Sequence, residues 1–125
     1  MTRVELPDEM IISYFKMDTG FKSLEFKNNQ IEFDFLKKIV TPSNIEWGQF
    51  WDKLEEIDFW HWDEDYEKCC LVDGFEWNIK ITKGNNSMES SGINDGPTQV
   101  VGDKLIFLLD EFLDALEDLT GFRID

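Results

Sequence analysis

The chain has 125 residues, 42% of them hydrophobic, with five tryptophans, eleven phenylalanines and a formal net charge of −15. Disorder needs high charge together with few aromatics, and only the first condition holds, so residues 1–125 read as one folded, soluble domain, large enough to bury about two-thirds of the surface its unfolded form exposes. The charge is one-sided: residues 41–125 carry twenty acids against six bases, residues 1–40 only seven against six, a field that repels nucleic acid and anionic membranes and attracts cationic surfaces.

The N-terminus has no basic stretch leading into a long apolar run. Met10–Phe15 is too short for a signal-peptide core and follows acids. No segment approaches the ~20 apolar residues that span a bilayer, so the expectation is a cytoplasmic protein without membrane contact. Met10–Lys16 is apolar and β-branched and ends at the turn Asp18-Thr19-Gly20. Ser23–Lys27 alternates, with Leu24 and Phe26 on one face, and Asn28-Asn29-Gln30 forms the next turn. Ile31, Phe33 and Phe35 alternate with Glu32 and Asp34, the period-two pattern of a half-buried strand. Phe35–Val40 fits either the end of that strand or a helical turn.

Thr41-Pro42-Ser43-Asn44-Ile45-Glu46 starts a helix, with Ser43 and Glu46 spaced as a capping box. Trp47, Phe50, Trp51, Leu54 and Ile57 follow at helical spacing, leaving Asp52, Glu55 and Glu56 wet, so an amphipathic helix is expected from about Asn44 to Asp58. Tyr66–Ile93 reads as a second meander. Val72-Asp73-Gly74-Phe75 is a strong hairpin signal. Phe75, Trp77, Ile79 and Ile81 alternate with polar residues, Lys83–Asn86 turns the chain, and Ser87–Ser91 is a weaker strand. A loop over Gly92–Pro97 and a short apolar connector ending at Gly102 lead to a final helix, expected from about Asp103 to Leu119 with Gly121 as its C-terminal stop. Leu105, Ile106, Leu109, Phe112, Leu113 and Leu116 form its apolar face. Asp110, Asp114, Glu117 and Asp118 stack opposite, with Glu111 beside them and Lys104 as the helix's only base. The expected fold is α+β: an antiparallel sheet of two meanders, about six strands, in the order β-β-β-α-β-β-β-α, with both amphipathic helices on one face.

No constellation of residues signals catalysis. The one histidine, His61, sits in Phe59-Trp60-His61-Trp62-Asp63-Glu64-Asp65. It would need Asp63 or Asp65 and a substrate pocket to act as a general base; extended backbone would put Trp60 and Trp62 on one face and leave His61 solvated on the other. Asp63–Asp65 and Asn94–Gly96 lack the spacing of a calcium loop, and Cys69, Cys70 and His61 are too few for zinc, so no dedicated metal site or cofactor is expected. Adjacent Cys69 and Cys70, if in a strand, point to opposite faces and read as two reduced thiols. Phosphate loops and basic patches are missing, and Trp47, Trp51 and Trp77 fall on faces expected to be buried.

Charge remains, in two clusters: Asp52–Glu67, with eight acids and one base, and the outer face of the last helix. Ordinary solubility needs a net charge of only about 2–8 in a small domain. The excess therefore points to a docking surface for a basic protein, with Asp63, Glu64, Asp65, Glu67, Asp110, Asp114, Glu117 and Asp118 as the contact candidates.

At Trp60-His61-Trp62, Tyr66, Asp73-Gly74-Phe75-Glu76-Trp77-Asn78-Ile79, Gly92, Asn94 and Pro97, residues 45–120 resemble small acidic bacterial immunity proteins encoded beside polymorphic or contact-dependent growth-inhibition toxins. The shared motifs have a structural character, a hairpin turn and buried aromatics, and carry no catalytic residues. The resemblance implies a cytoplasmic binding protein that neutralises a cognate toxin, a basic nuclease domain being the expected class. Other readings of the same charge are a DNA-mimic inhibitor of a DNA-binding enzyme and a non-catalytic structural adaptor.

Overall fold

The computed structural model describes residues 5–68 and 74–125; Cys69, Cys70 and the Asp73 half of the expected Asp-Gly turn lie outside them. The fold is α+β, with two helices and a mainly antiparallel seven-stranded sheet. The strands are β1 (Glu9–Lys16), β2 (Gly20–Lys27), β3 (Gln30–Phe33) and β4 (Lys38–Val40), then helix α1 (Asn44–Glu56) and a 3₁₀ turn over Phe59–His61. After these come β5 (Asp65–Glu67), β6 (Phe75–Lys83), β7 (Asn86–Ile93), a hairpin of β8 (Thr98–Val101) and β9 (Lys104–Phe107), and helix α2 (Leu108–Thr120). The main sheet runs β4-β3-β2-β1-β6-β7-β5, and β8-β9 stands as a separate two-stranded sheet.

Local chemistry accounts for most of the connections. Lys27 pairs with Gln30 across Asn28 and Asn29, both at positive φ (55° and 63°), as a type I′ hairpin requires and asparagine tolerates. Lys83 pairs with Asn86 across Gly84, whose φ of +58° suits the first position of a type II′ turn. Ser43 caps α1 as its spacing predicts: the Glu46 N–H donates to the Ser43 hydroxyl at 3.2 Å, and the Ser43 N–H donates to the Glu46 carboxylate at 2.9 Å.

Alternation along the strands separates the two sheet faces. Met10, Ile12 and Tyr14 of β1, Leu24 of β2, Ile31 and Phe33 of β3, and Trp77, Ile79 and Ile81 of β6 are buried on one face. Trp47, Phe50, Trp51 and Leu54 of α1 and Leu109, Phe112, Leu113 and Leu116 of α2 join them in one core. Edge-to-face ring contacts join sheet to helix, Phe26 to Trp47 at 5.7 Å, and helix to helix, Phe50 to Phe112 at 6.0 Å. The other face stays open, with Ile11, Phe15 and Phe21 exposed among polar neighbours.

Four expectations need correction. The expected six strands in two meanders become nine strands among the described residues, because Lys38–Val40 forms an edge strand on β3 rather than a helical turn and Thr98–Phe107 forms a hairpin. The second meander is reordered: β6 is flanked by β1 and β7, and β5 lies beyond β7, parallel to it, while the first arm of the expected Asp73-Gly74 hairpin lies outside the described residues. The long alternating strand takes two eight-residue partners, whereas three residues rich in acids suit an edge. The last helix begins at Leu108, not Asp103, because Gly102 at φ +67° turns the chain back between Val101 and Lys104. Leu105 is therefore 60% exposed rather than on a buried helical face. Finally, Phe59–His61 is a 3₁₀ turn rather than extended backbone, so Trp62 is buried while Trp60 is half-buried.

Candidate partner-binding surface

α1 and α2 bury their apolar stripes in the common core and leave a groove between their outer faces. Glu46, Asp52 and Glu56 from α1 and Glu111, Asp114 and Asp118 from α2 line this groove, which encloses about 410 Å³. Lys53 is its single basic residue. Its ammonium bridges the helices, 3.1 Å from Glu111 and 3.8 Å from Glu56. The hydrogen bond to Glu111 raises the Lys53 pKa above its ordinary value, with burial opposing.

The carboxylates of the last helix are less free than the sequence suggests. Arg123, in the segment after α2, folds back onto Asp114 and Asp125 and reaches Glu117 at 3.4 Å. Its pKa is raised, chiefly by the hydrogen bond to Asp125. Asp110 points away from the groove into the neighbourhood of Asp125 and Arg123; burial, then the Asp125 charge, raises its pKa. Asp52 and Asp118 have no ion-pair partner among the described residues. They are the groove's least compensated charges; Glu46 has its carboxylate engaged in the cap, accepting the Ser43 N–H.

The two candidate groups do not share a face. Asp114 and Asp118 line the helix groove, and Asp110 and Glu117 are exposed elsewhere on α2. Glu64 and Asp65 line a hollow on the open sheet face with Asn78, Lys80 and Glu89, and Glu67 is exposed at the end of β5. Asp63 stands in a third place, a hollow with Asp58 and Asp95 beside the start of β8. Its backbone N–H donates to the Tyr66 hydroxyl at 2.9 Å. Sequence reasoning left Glu46, Asp52, Glu56 and Glu111 out of the contact set. Their exposure follows from helical spacing, but their convergence depends on α1 lying beside α2, and no local pattern encodes that.

His61 is 79% exposed, and its Nδ1 lies 2.7 Å from Asp58; it lines the same hollow as Asp63. Trp47, Trp51 and Trp77 are core residues, each no more than 6% exposed. The motif of Gly74, Trp77, Gly92, Asn94 and Pro97 is a structural lock. The Trp77 indole N–H donates to the Asp95 carbonyl at 2.8 Å, the Phe75 N–H donates to the Asn94 side chain at 2.9 Å, and the Leu108 N–H donates to the Pro97 carbonyl at 2.9 Å. A Cβ on Gly74 would collide with the Asn94 side chain and one on Gly92 with the Trp77 indole. No described helix is long and apolar enough to cross a membrane.

Comparison with protein-family models, with curated proteins and with solved structures finds no match to this chain.

Proposed function

We propose that this chain is a non-catalytic binding protein, an immunity protein that neutralises a cognate toxin domain of basic character, a nuclease in the expected case. The docking surface is the groove between α1 and α2. The observation that carries the reading is six carboxylates facing one lysine across two adjacent helices, in a chain whose charge already exceeds what solubility asks. Exposed charges of this kind act mainly on encounter, steering a cationic partner and raising its association rate. Neutralisation then needs only that bulk cover the partner's working surface. The two carboxylate rows would also suit a protein that imitates nucleic acid, but Lys53 and Arg123 interrupt them, which favours the immunity reading.

The test is co-expression with basic toxin domains drawn from the genes neighbouring this one. The chain is expected to restore growth, and Asp52→Lys with Asp118→Lys to abolish the rescue at unchanged expression. Rescue by the doubly reversed variant would remove the groove from the interface.

A further inference from the structure

The β8–β9 hairpin has no structural task inside the fold that accounts for its surface. Nine of the ten residues from Thr98 to Phe107 are exposed, and only Ile106 packs partly against the core. Directly paired residues of an antiparallel ribbon share a face, so the Val100–Leu105 and Thr98–Phe107 pairs present one surface. On it Val100, Leu105 and Phe107 are 70%, 60% and 47% exposed. Ile106 belongs to the opposite face, so this apolar surface is the one turned away from the body.

An isolated two-stranded ribbon is marginal in water unless something covers it. The main sheet treats its own margins differently: β4 and β5 are three residues each and carry Lys38, Asp65 and Glu67, the short charged edges that discourage pairing. The hairpin has β-branched and aromatic residues and, at its tip, only Asp103 and Lys104 as charges.

We infer that this hairpin is the apolar anchor of the partner interface, inserting into a recess of a cationic protein whose rim carries lysine or arginine. The inference rests on the function proposed above and extends its surface. Charge complementarity selects the occupant. A hollow at the hairpin's base is lined by Asp58, Asp63 and Asp95 together with Pro97 and Thr98. A second copy would bring those carboxylates against their own kind, on chains of net charge −15, whereas a basic rim would find them complementary. The hollow and the groove also meet the same two helix ends. Ile57, just after α1, and Leu108, the first residue of α2, line the hollow, while Glu56 and Glu111, at those same helix ends, line the groove. Groove and hairpin thus divide the work into steering charges and a desolvated anchor.

The experiment uses the full chain in two arms. In the first, a photo-crosslinking amino acid replaces Val100 in the native cells and the adduct is identified by mass spectrometry. One protein of net positive charge is expected; adducts only to this chain's own copies, adducts to acidic proteins, or no adduct would overturn the inference. In the second arm the identified protein is purified and titrated against Val100→Ser with Leu105→Ser. A loss of about 100-fold or more in affinity is expected, from faster dissociation with an unchanged salt slope. Both positions are exposed, so the melting temperature should not move. Affinity within threefold of the parent would sink the hairpin anchor while leaving the groove to be judged by its own charge reversals. A cationic adduct that proves not to be a toxin would keep the anchor and remove the immunity reading.

Discussion

Gly92 offers the sharpest test of how the fold locks β6 and β7 to the loop that follows them. It lies in β7 directly opposite Trp77 of β6, and a Cβ built on it would meet the Trp77 indole nitrogen, with the indole Cε2 at 2.6 Å and the Asp95 carbonyl oxygen at 2.5 Å. Neither neighbour yields cheaply: Trp77 is 1% exposed in the core, and the Asp95 oxygen is backbone that accepts the indole N–H at 2.8 Å. Gly92→Ala therefore demands roughly an ångström of movement, an overpacking cost of about 1–3 kcal/mol. Moving the Asp95 carbonyl strands a buried indole donor, which adds about 1–3 kcal/mol. Together these give a destabilisation of about 2–6 kcal/mol, or about 8–24 °C in melting temperature at roughly 4 °C per kcal/mol for a chain of this size. Urea unfolding followed by tryptophan fluorescence measures it. Trp77→Phe removes the clashing nitrogen, so a double-mutant cycle should show Gly92→Ala costing at least about 1 kcal/mol less when combined with Trp77→Phe than when made alone. Gly92→Ala within 0.5 kcal/mol of the parent, or strict additivity in the cycle, would refute the reasoning; the ~0.5 kcal/mol threshold is the scatter of neutral surface substitutions.

Lys53→Gln removes the only base lining the groove and its bridge to Glu111. Both partners are partly exposed, so chemical denaturation should register at most about 1 kcal/mol, while stopped-flow association with a basic partner should quicken several-fold at low salt. Slower association would contradict the steering role. Tyr14 has its pKa pushed up to about 12, first by burial and then by the Asp125 and Asp110 carboxylates, with Arg123 opposing. Its folded pKa stands above the ordinary tyrosine value of 10.0, so its contribution is complete below pH 10 and is lost as pH rises toward 12. Stability should fall there by up to about 1.4 kcal/mol per pH unit, and Tyr14→Phe should flatten that slope. Absorbance titration in which both tyrosines ionise near pH 10 would contradict it.

What the sequence encoded locally was legible. The capping box at Ser43 and Glu46, the Asn-Asn turn, the alternation of β6 and the aromatic stripe of α1 each depend on neighbours a few residues away, and each appears as the pattern states. Partner choice between strands was not legible. β6 takes the long apolar β1 as a partner along the whole length of β1, and nothing local announces that choice. Leu105 and Ile106 continue the period of α2 backward, so only Gly102 hinted that the chain turns there instead of coiling. The candidate surface divides in the same way. Exposure of Asp114 and Asp118 follows from helical spacing, but their meeting with Asp52 and Glu56, and the capture of Asp114 and Glu117 by Arg123, are tertiary events.

The central claim is that the helix groove, rather than the acidic edge strand, receives a basic partner. Its most direct test is the association rate and affinity of two charge-reversed variants for the basic toxin domain that the proposed function calls for, measured across salt concentrations. Asp52→Lys with Asp118→Lys should slow association by about 10-fold or more at low salt, with the difference shrinking as salt screens it. Glu64→Lys with Glu67→Lys, on the far edge of the sheet, should change little beyond the shift in net charge. The reverse ranking, or equal effects from both pairs, would contradict the account.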